Sequence, residues 1–68
     1  MTRYYVNRNA QETGEHEVHK ETCNRLPDLV NRIDLGSHST CQQALAAAKK
    51  HFSNVDGCAW CSSACHKK

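Results

Sequence analysis

Two short segments of this chain concentrate cysteine and histidine, the side chains that most often bind zinc in proteins. The chain has five Cys and five His among 68 residues. In the first segment three residues separate His19 from Cys23, and in the second two residues separate Cys58 from Cys61. Such close spacing lets a tight turn aim both donors of a pair at one ion, and structural zinc sites commonly combine two pairs. We therefore predict a zinc site formed by His19, Cys23, Cys58 and Cys61.

Four protein donors would close the coordination sphere of this zinc, and a closed sphere is typical of a structural rather than a catalytic site. The rest of the sequence has no pattern typical of an active site. Its carboxylates are scattered over polar segments, and its isolated glycines (Gly14, Gly36 and Gly57) form no phosphate-binding loop. We therefore expect a zinc-stabilised binding or adaptor module with no enzymatic activity and no catalytic residues.

The C-terminal tail offers two further donors, Cys65 and His66. If the tail is helical, Cys65 falls on the same face as the preceding cysteine pair, and either Cys65 or His66 could replace His19 as the fourth ligand. The simpler alternatives are an exposed tail position for His66 and, for Cys65, a packing thiol or a partner for Cys41. The sequence leaves these alternatives open.

The remaining Cys, His and Trp residues have simpler interpretations. Cys41 falls on the apolar stripe of a predicted helix, where a buried free thiol packs as a small hydrophobe, and Cys41→Ala should then cost about 1 kcal/mol. Trp60 lies between two predicted ligands, and we expect it to pack over the zinc and exclude water. Three histidines have no ligand spacing and are expected at the surface or in turns: His16, His38 and His51.

The elements that must position the zinc ligands are short. Residues Arg3–Asn7 contain Tyr-Tyr-Val and are typical of a strand. Glu15–His19 alternates in polarity, and a polar stretch ending in glycine precedes it. These two segments predict a β-hairpin. Leu29–Leu35 is compatible with a helical turn or a strand, and Ile33–Leu35 favours a short third strand.

A helix is predicted at Thr40–Phe52. Ser39 is a suitable N-cap, Gln42 would complete a capping box, and the run of Ala, Gln and Lys has high helix propensity. The apolar positions at helical spacing are Cys41, Ala44, Leu45, Ala48 and Phe52. We therefore expect one α+β domain over residues 1–68, with a hairpin, a third short strand, one main helix packed across them, and a Cys-rich tail.

Size and charge limit the function further. At 7.7 kDa the chain has room for one thin core, and domains of this size often add a metal or a disulfide. The net charge of +2 is too small to indicate nucleic-acid binding on charge alone. No apolar stretch has the length of a signal peptide or a membrane span. We expect a cytoplasmic monomer with a protein or nucleic-acid partner that the sequence does not identify.

Disulfide or redox chemistry is the main alternative to zinc. Oxidation could join Cys23 or Cys41 to a tail cysteine, although an odd number of cysteines leaves one thiol unpaired. The pair Cys58 and Cys61 also has the spacing of a redox motif, but the surrounding βαβ context of such enzymes is absent. A cytoplasmic location favours reduced thiols and hence the metal.

The segments YYVNRNAQ, GEHEVHKETC, LP and DGCAWC resemble a group of small bacterial Cys/His-rich proteins with no known activity. The order H-x3-C, Ala-rich helix, C-x2-C is also distantly similar to the zinc-binding N-terminal domain of the Ada DNA-repair protein. In that domain the first cysteine of a C-x3-C pair accepts a methyl group from DNA phosphotriesters. The matching position here is His19, whose imidazole lacks thiolate nucleophilicity. The resemblance therefore implies a zinc site without methyl transfer.

Overall fold

The computed structural model describes residues 1–67, which form a mixed sheet with one helix packed on it. The strands and the helix are, in chain order, β1 (Thr2–Asn7), β2 (His16–Lys20), β3 (Arg32–His38), α1 (Cys41–Ala48) and β4 (Val55–Gly57). The sheet has the order β3-β1-β2-β4. The predicted α+β fold is confirmed. No helix among the described residues is long and apolar enough to span a membrane.

The predicted hairpin is confirmed as the antiparallel pair β1 and β2. Tyr4 pairs with Lys20 and Val6 with Val18. Gly14 closes the connecting loop with φ of +96°, a left-handed conformation that glycine adopts without a steric penalty. The hairpin therefore fixes β2, the strand that carries the first predicted ligand.

The third strand is longer than the sequence indicated. Leu29–Asn31 forms a single 3₁₀ turn, and β3 follows at once, so the ambiguous segment contains both structures. β3 pairs antiparallel with β1, and the register shifts between Tyr4 and Tyr5. Gly36 lies in this part of β3 with φ of +82°. The extra residue of a bulge lets one strand bend over the core without losing the pairing on either side.

The fourth strand, β4, leads into the second pair of predicted ligands and was not predicted from the sequence. It pairs parallel with β2, with His16 opposite Val55 and Val18 opposite Gly57. Three residues containing Asp and Gly have low strand propensity. Tertiary pairing overrides that propensity. As a result Cys58 lies directly beside β2, and its backbone N–H donates to the carbonyl of Val18.

The helix is shorter than predicted and begins one residue later than the predicted capping box implied. Thr40, not Ser39, is the N-cap, and its hydroxyl accepts a hydrogen bond from the backbone N–H of Gln43. The side chain of Gln43, not Gln42, accepts from the N–H of Ser39. The segment after Ala48 continues as a tight turn instead of a full helical turn.

The apolar core lies between α1 and one face of the sheet. Its buried residues are Tyr4, Val6, Val18, Leu35, Cys41, Ala44, Ala48 and Cys65. Leu45 and Phe52 pack at its margin, as the helical stripe predicted. Cys41 is not a free thiol: it forms a disulfide with Cys65, with the two Cα atoms 6.2 Å apart. This corrects the prediction of a reduced packing residue and links the start of α1 to the tail.

Candidate metal centre

The structure brings His19, Cys23, Cys58 and Cys61 together into one buried group. One donor atom from each residue lies within 4.8 Å of the donors of the other three. No other group of three or more candidate ligands occurs in residues 1–67. The four donors that the sequence spacing predicted are therefore adjacent in space, and the group could hold a metal ion.

Each half of the group is positioned by backbone structure. Successive residues of a strand point to opposite faces of the sheet, so His19 points away from Val18 and from the apolar core. A turn follows β2, closed by a hydrogen bond from the N–H of Cys23 to the carbonyl of Lys20. A second turn follows β4, closed by a hydrogen bond from the N–H of Ser62 to the carbonyl of Cys58. The two turns aim their cysteines at the same point.

Two of the distances between donors match the edges of a tetrahedral zinc site. The sulfurs of Cys23 and Cys58 are 3.8 Å apart, and the sulfur of Cys23 is 3.5 Å from Nδ1 of His19. Zinc–sulfur and zinc–nitrogen bonds of ordinary length at tetrahedral angles give edges of about 3.8 Å and about 3.6 Å. Both distances therefore leave the space that one zinc ion needs. A disulfide would instead bring two sulfurs to about 2 Å.

His19 is placed as a ligating histidine would be. Its side chain is 1 % exposed, and Nε2 is buried with no hydrogen-bond partner among the described residues. Oε1 of Glu17 lies 3.6 Å from Nε2. Burial lowers the pKa of His19, which favours the neutral imidazole that binds metals. With Nδ1 on a metal, Nε2–H would face the Glu17 carboxylate, as carboxylates commonly support ligating histidines.

Backbone N–H groups donate to two of the sulfurs. The N–H of Lys20 donates to Cys61 at 3.3 Å, and the N–H of Arg25 donates to Cys23 at 3.4 Å. A donor directed at sulfur stabilises the thiolate relative to the thiol, and the thiolate is the form that binds a metal. The two turns thus place the sulfurs and also favour their ligating state.

The pKa shifts of the thiols indicate what a cation would contribute. Burial, with a hydrogen bond to Cys61, raises the pKa of Cys23 to about 12. Burial also opposes ionisation of Cys61, but hydrogen bonds led by the Lys20 N–H leave its pKa lowered. Ionisation of Cys61 is therefore favoured over that of Cys23, and one thiolate disfavours a second beside it. A divalent ion removes this repulsion, because it attracts all the thiolates at once.

The tail alternatives do not take the place of His19. Cys65 is occupied by its disulfide with Cys41. Nδ1 of His66 lies 2.9 Å from the carbonyl oxygen of Gly57 and 3.1 Å from Oδ2 of Asp56. His66 is thus half-buried in local contacts, which corrects the expectation of an exposed position. The tail carries a 3₁₀ turn at Ser63–Cys65 and is not the longer helix that would align three cysteines.

Trp60 does not cover the metal group. Its side chain is 71 % exposed, and the guanidinium of Arg25 lies 4.4 Å from its ring centroid. The expectation that Trp60 excludes water from the zinc is wrong. Because Cys58 and Cys61 both point inward from the ends of one turn, the residues between them are left on its outer side.

The other histidines have structural contacts that the sequence did not reveal. His16 stacks on Phe52 with ring centroids 3.6 Å apart, and its Nδ1 lies 2.9 Å from the carbonyl oxygen of Asn7. Nε2 of His38 lies 2.7 Å from the carbonyl oxygen of Leu35. His51 is exposed, as predicted. None of the three belongs to the metal group.

Comparisons with known proteins add no family to this description. The chain matches no protein-family model, no curated protein and no solved structure. The resemblance to the Ada N-terminal domain and to small bacterial proteins stays a prediction, and we infer the function from the geometry of this chain.

Proposed function

We propose that this protein is a small binding module whose fold is stabilised by one structural zinc ion. The observation that carries the proposal is the convergence of one imidazole and three cysteine sulfurs within 4.8 Å. The distances from the sulfur of Cys23 to Cys58 and to His19 match tetrahedral edges. Three sulfurs and one nitrogen form a donor set that suits zinc well. The ligands would be His19, Cys23, Cys58 and Cys61.

The proposed zinc joins parts of the chain that are far apart in sequence. Cys23 and Cys58 are separated by 35 positions, yet their sulfurs are neighbours. The ion would therefore hold the tail against the end of the hairpin, where the described apolar core does not reach. Four protein donors leave no position for water, so the site supports a structural role and no catalysis.

The alternative is a thiol-redox protein without metal, and the Cys41–Cys65 disulfide favours it. In that case the free cysteines Cys23, Cys58 and Cys61 would act as reactive thiols. Reactive thiols are alkylated quickly, whereas metal-bound thiolates resist alkylation until the metal is removed.

Native and denaturing mass spectrometry of freshly purified, unreduced protein distinguishes the two functions. The proposal requires a native mass heavier by one zinc, and a denatured mass lower by the two hydrogens of one disulfide. Three thiols should become available to alkylation only after chelation. A metal-free native mass, with a thiol that is alkylated without chelation, would support the redox alternative. The double variant Cys41→Ser/Cys65→Ser is the control, because it should lose the disulfide and keep the zinc.

A further inference from the structure

A cleft of about 410 Å³ opens beside the metal group, on its outer side. Its lining residues are Thr22, Cys23, Asn24, Arg25, Trp60 and Cys61. The structural role proposed for the zinc explains the two cysteines. It does not explain the other four residues, which face the cleft and not the ion.

Both walls of the cleft are anchored to proposed zinc ligands. Trp60 lies between Cys58 and Cys61 in the second turn, and the N–H of Arg25 donates to Cys23 in the first. The guanidinium of Arg25 lies over the indole of Trp60, with its central carbon 4.4 Å from the ring centroid. Binding of the ion would therefore hold two flat groups in place before any ligand arrives, which lowers the entropic cost of binding.

The cleft also presents polar groups that have no partner among the described residues. Across residues 1–67, the side chains of Thr22 and Asn24 make no hydrogen bond, and the Arg25 guanidinium forms no ion pair. Trp60 remains 71 % exposed although Arg25 covers part of it. A large exposed aromatic surface beside unpaired donors and acceptors is typical of a binding site.

We propose that this cleft binds a base of single-stranded nucleic acid, stacked on the Trp60–Arg25 pair. The proposal rests on the proposed function, since the metal ligands hold both walls. Stacking on aromatic and guanidinium planes is how single-stranded nucleic acids are commonly bound. A base edge carries donors and acceptors together, and these match the sulfur acceptors of Cys23 and Cys61 and the side-chain amide of Asn24, which has both a donor and an acceptor.

The charge of the protein favours a single strand over a duplex. The net charge is only +2, and the cleft borders thiolates, so few phosphates can be neutralised there. The bases of a duplex are stacked on one another and offer no free face. Binding should therefore depend mainly on stacking and weakly on salt.

Trp60 is the only tryptophan of the chain, so its fluorescence reports directly on the cleft. Zinc-loaded protein is titrated with DNA and RNA oligonucleotides about 10 nucleotides long, single-stranded and as duplexes. We expect saturable quenching by single strands, a shallow salt dependence, and little effect of duplexes. Zinc content is measured in the same samples: metal-free protein would contradict the proposed function, and zinc-loaded protein that binds no single strand would overturn only this inference.

Variants test whether the cleft itself binds. With a fluorescently labelled oligonucleotide as probe, Trp60→Ala should weaken binding by about tenfold, the loss expected for one stacked base, and Trp60→Phe by less. Arg25→Ala should weaken binding by about fivefold. The controls Leu29→Ala and Lys50→Ala remove an exposed apolar group and an exposed cation outside the cleft and should change nothing. Equal binding by wild type and Trp60→Ala, with zinc content unchanged, would overturn the proposal.

Discussion

On the helix side of the sheet, α1 packs Ala44 and Ala48 against Val6 and Val18, and a disulfide links the helix to the tail. On the opposite side, His19 and three free cysteines occupy the place where an apolar core would otherwise lie. Both sides use cysteines of the tail, but one uses them as a covalent link and the other as potential ligands. A small chain can thus supplement one thin core with two different kinds of cross-link.

The two sides of the sheet together account for the odd number of cysteines. Two of the five form the disulfide and three join a histidine in the metal group. Gly57 lies where the two regions meet, since Cys58 follows it in the chain and Cys65 packs against it. The two regions therefore differ in chemistry but are in contact at Gly57. The predictions below test how far each region supports the fold alone.

The largest expected effect is loss of the proposed zinc. Cys58→Ser, or removal of the metal by a chelator, should unfold the domain, because structural zinc contributes about 10 kcal/mol or more, which is comparable to the whole stability of a small domain. Circular dichroism and amide hydrogen exchange measure the result. A chelated protein that keeps its native spectrum would contradict this prediction and show that the helix-side core suffices.

Loss of the disulfide should have a smaller effect. The bond joins residues 24 positions apart, and closing a loop of that size stabilises a protein by about 3.5 kcal/mol. The double variant Cys41→Ala/Cys65→Ala should fold, bind zinc, and unfold at a lower urea concentration. Because Cys41 forms this disulfide, its loss should destabilise the fold by more than the about 1 kcal/mol expected for a packing residue. Unchanged urea unfolding would show that the link adds nothing to the fold.

Gly57→Ala tests the junction between the two regions. An added Cβ would lie 2.7 Å from Cβ of Cys65 and 2.8 Å from the carbonyl oxygen of Ser62, so backbone must move. We expect a destabilisation of about 2 kcal/mol together with weaker zinc binding, because the turn that holds Cys58 is displaced. Urea unfolding and competition with a chelator measure the two effects. A loss of stability with unchanged zinc affinity would mean that the regions are independent.

The smallest effect concerns the support of His19. Glu17→Gln removes the carboxylate charge that faces Nε2 at 3.6 Å, and such changes weaken metal binding by about tenfold. The helix side should be unaffected. Glu12→Gln, in the exposed hairpin loop, is the matched control. Equal zinc affinities of the two variants would remove Glu17 from the account of the site.

The sequence predicted the local features well because short-range spacing encodes them. The hairpin, the helical stripe and the two ligand pairs each depend on residues that are close together in the sequence. The convergence of the pairs depends on β4, which places Cys58 beside β2. That strand is only Val55–Gly57, too short and too polar for a propensity signal.

The spacing of residues in the sequence does not determine which residues far apart in the chain contact one another. The sequence allowed Cys65 to be a ligand, a packing thiol or a partner of Cys41, and only the tertiary fold selects the disulfide. The prediction that Trp60 is buried was wrong for a related reason. An apolar residue between two buried ligands suggests burial, but the geometry of the turn directs it outward. Each of these outcomes depends on orientation, which a one-dimensional pattern does not contain.

The proposed function requires that one imidazole and three thiolates bind a single zinc ion. X-ray absorption at the zinc edge of the purified protein tests it most directly, because it counts the ligand atoms and measures their distances. We predict three sulfurs at about 2.3 Å and one nitrogen at about 2.0 Å. A shell of oxygen and nitrogen alone, or a protein that holds no zinc at all, would contradict it.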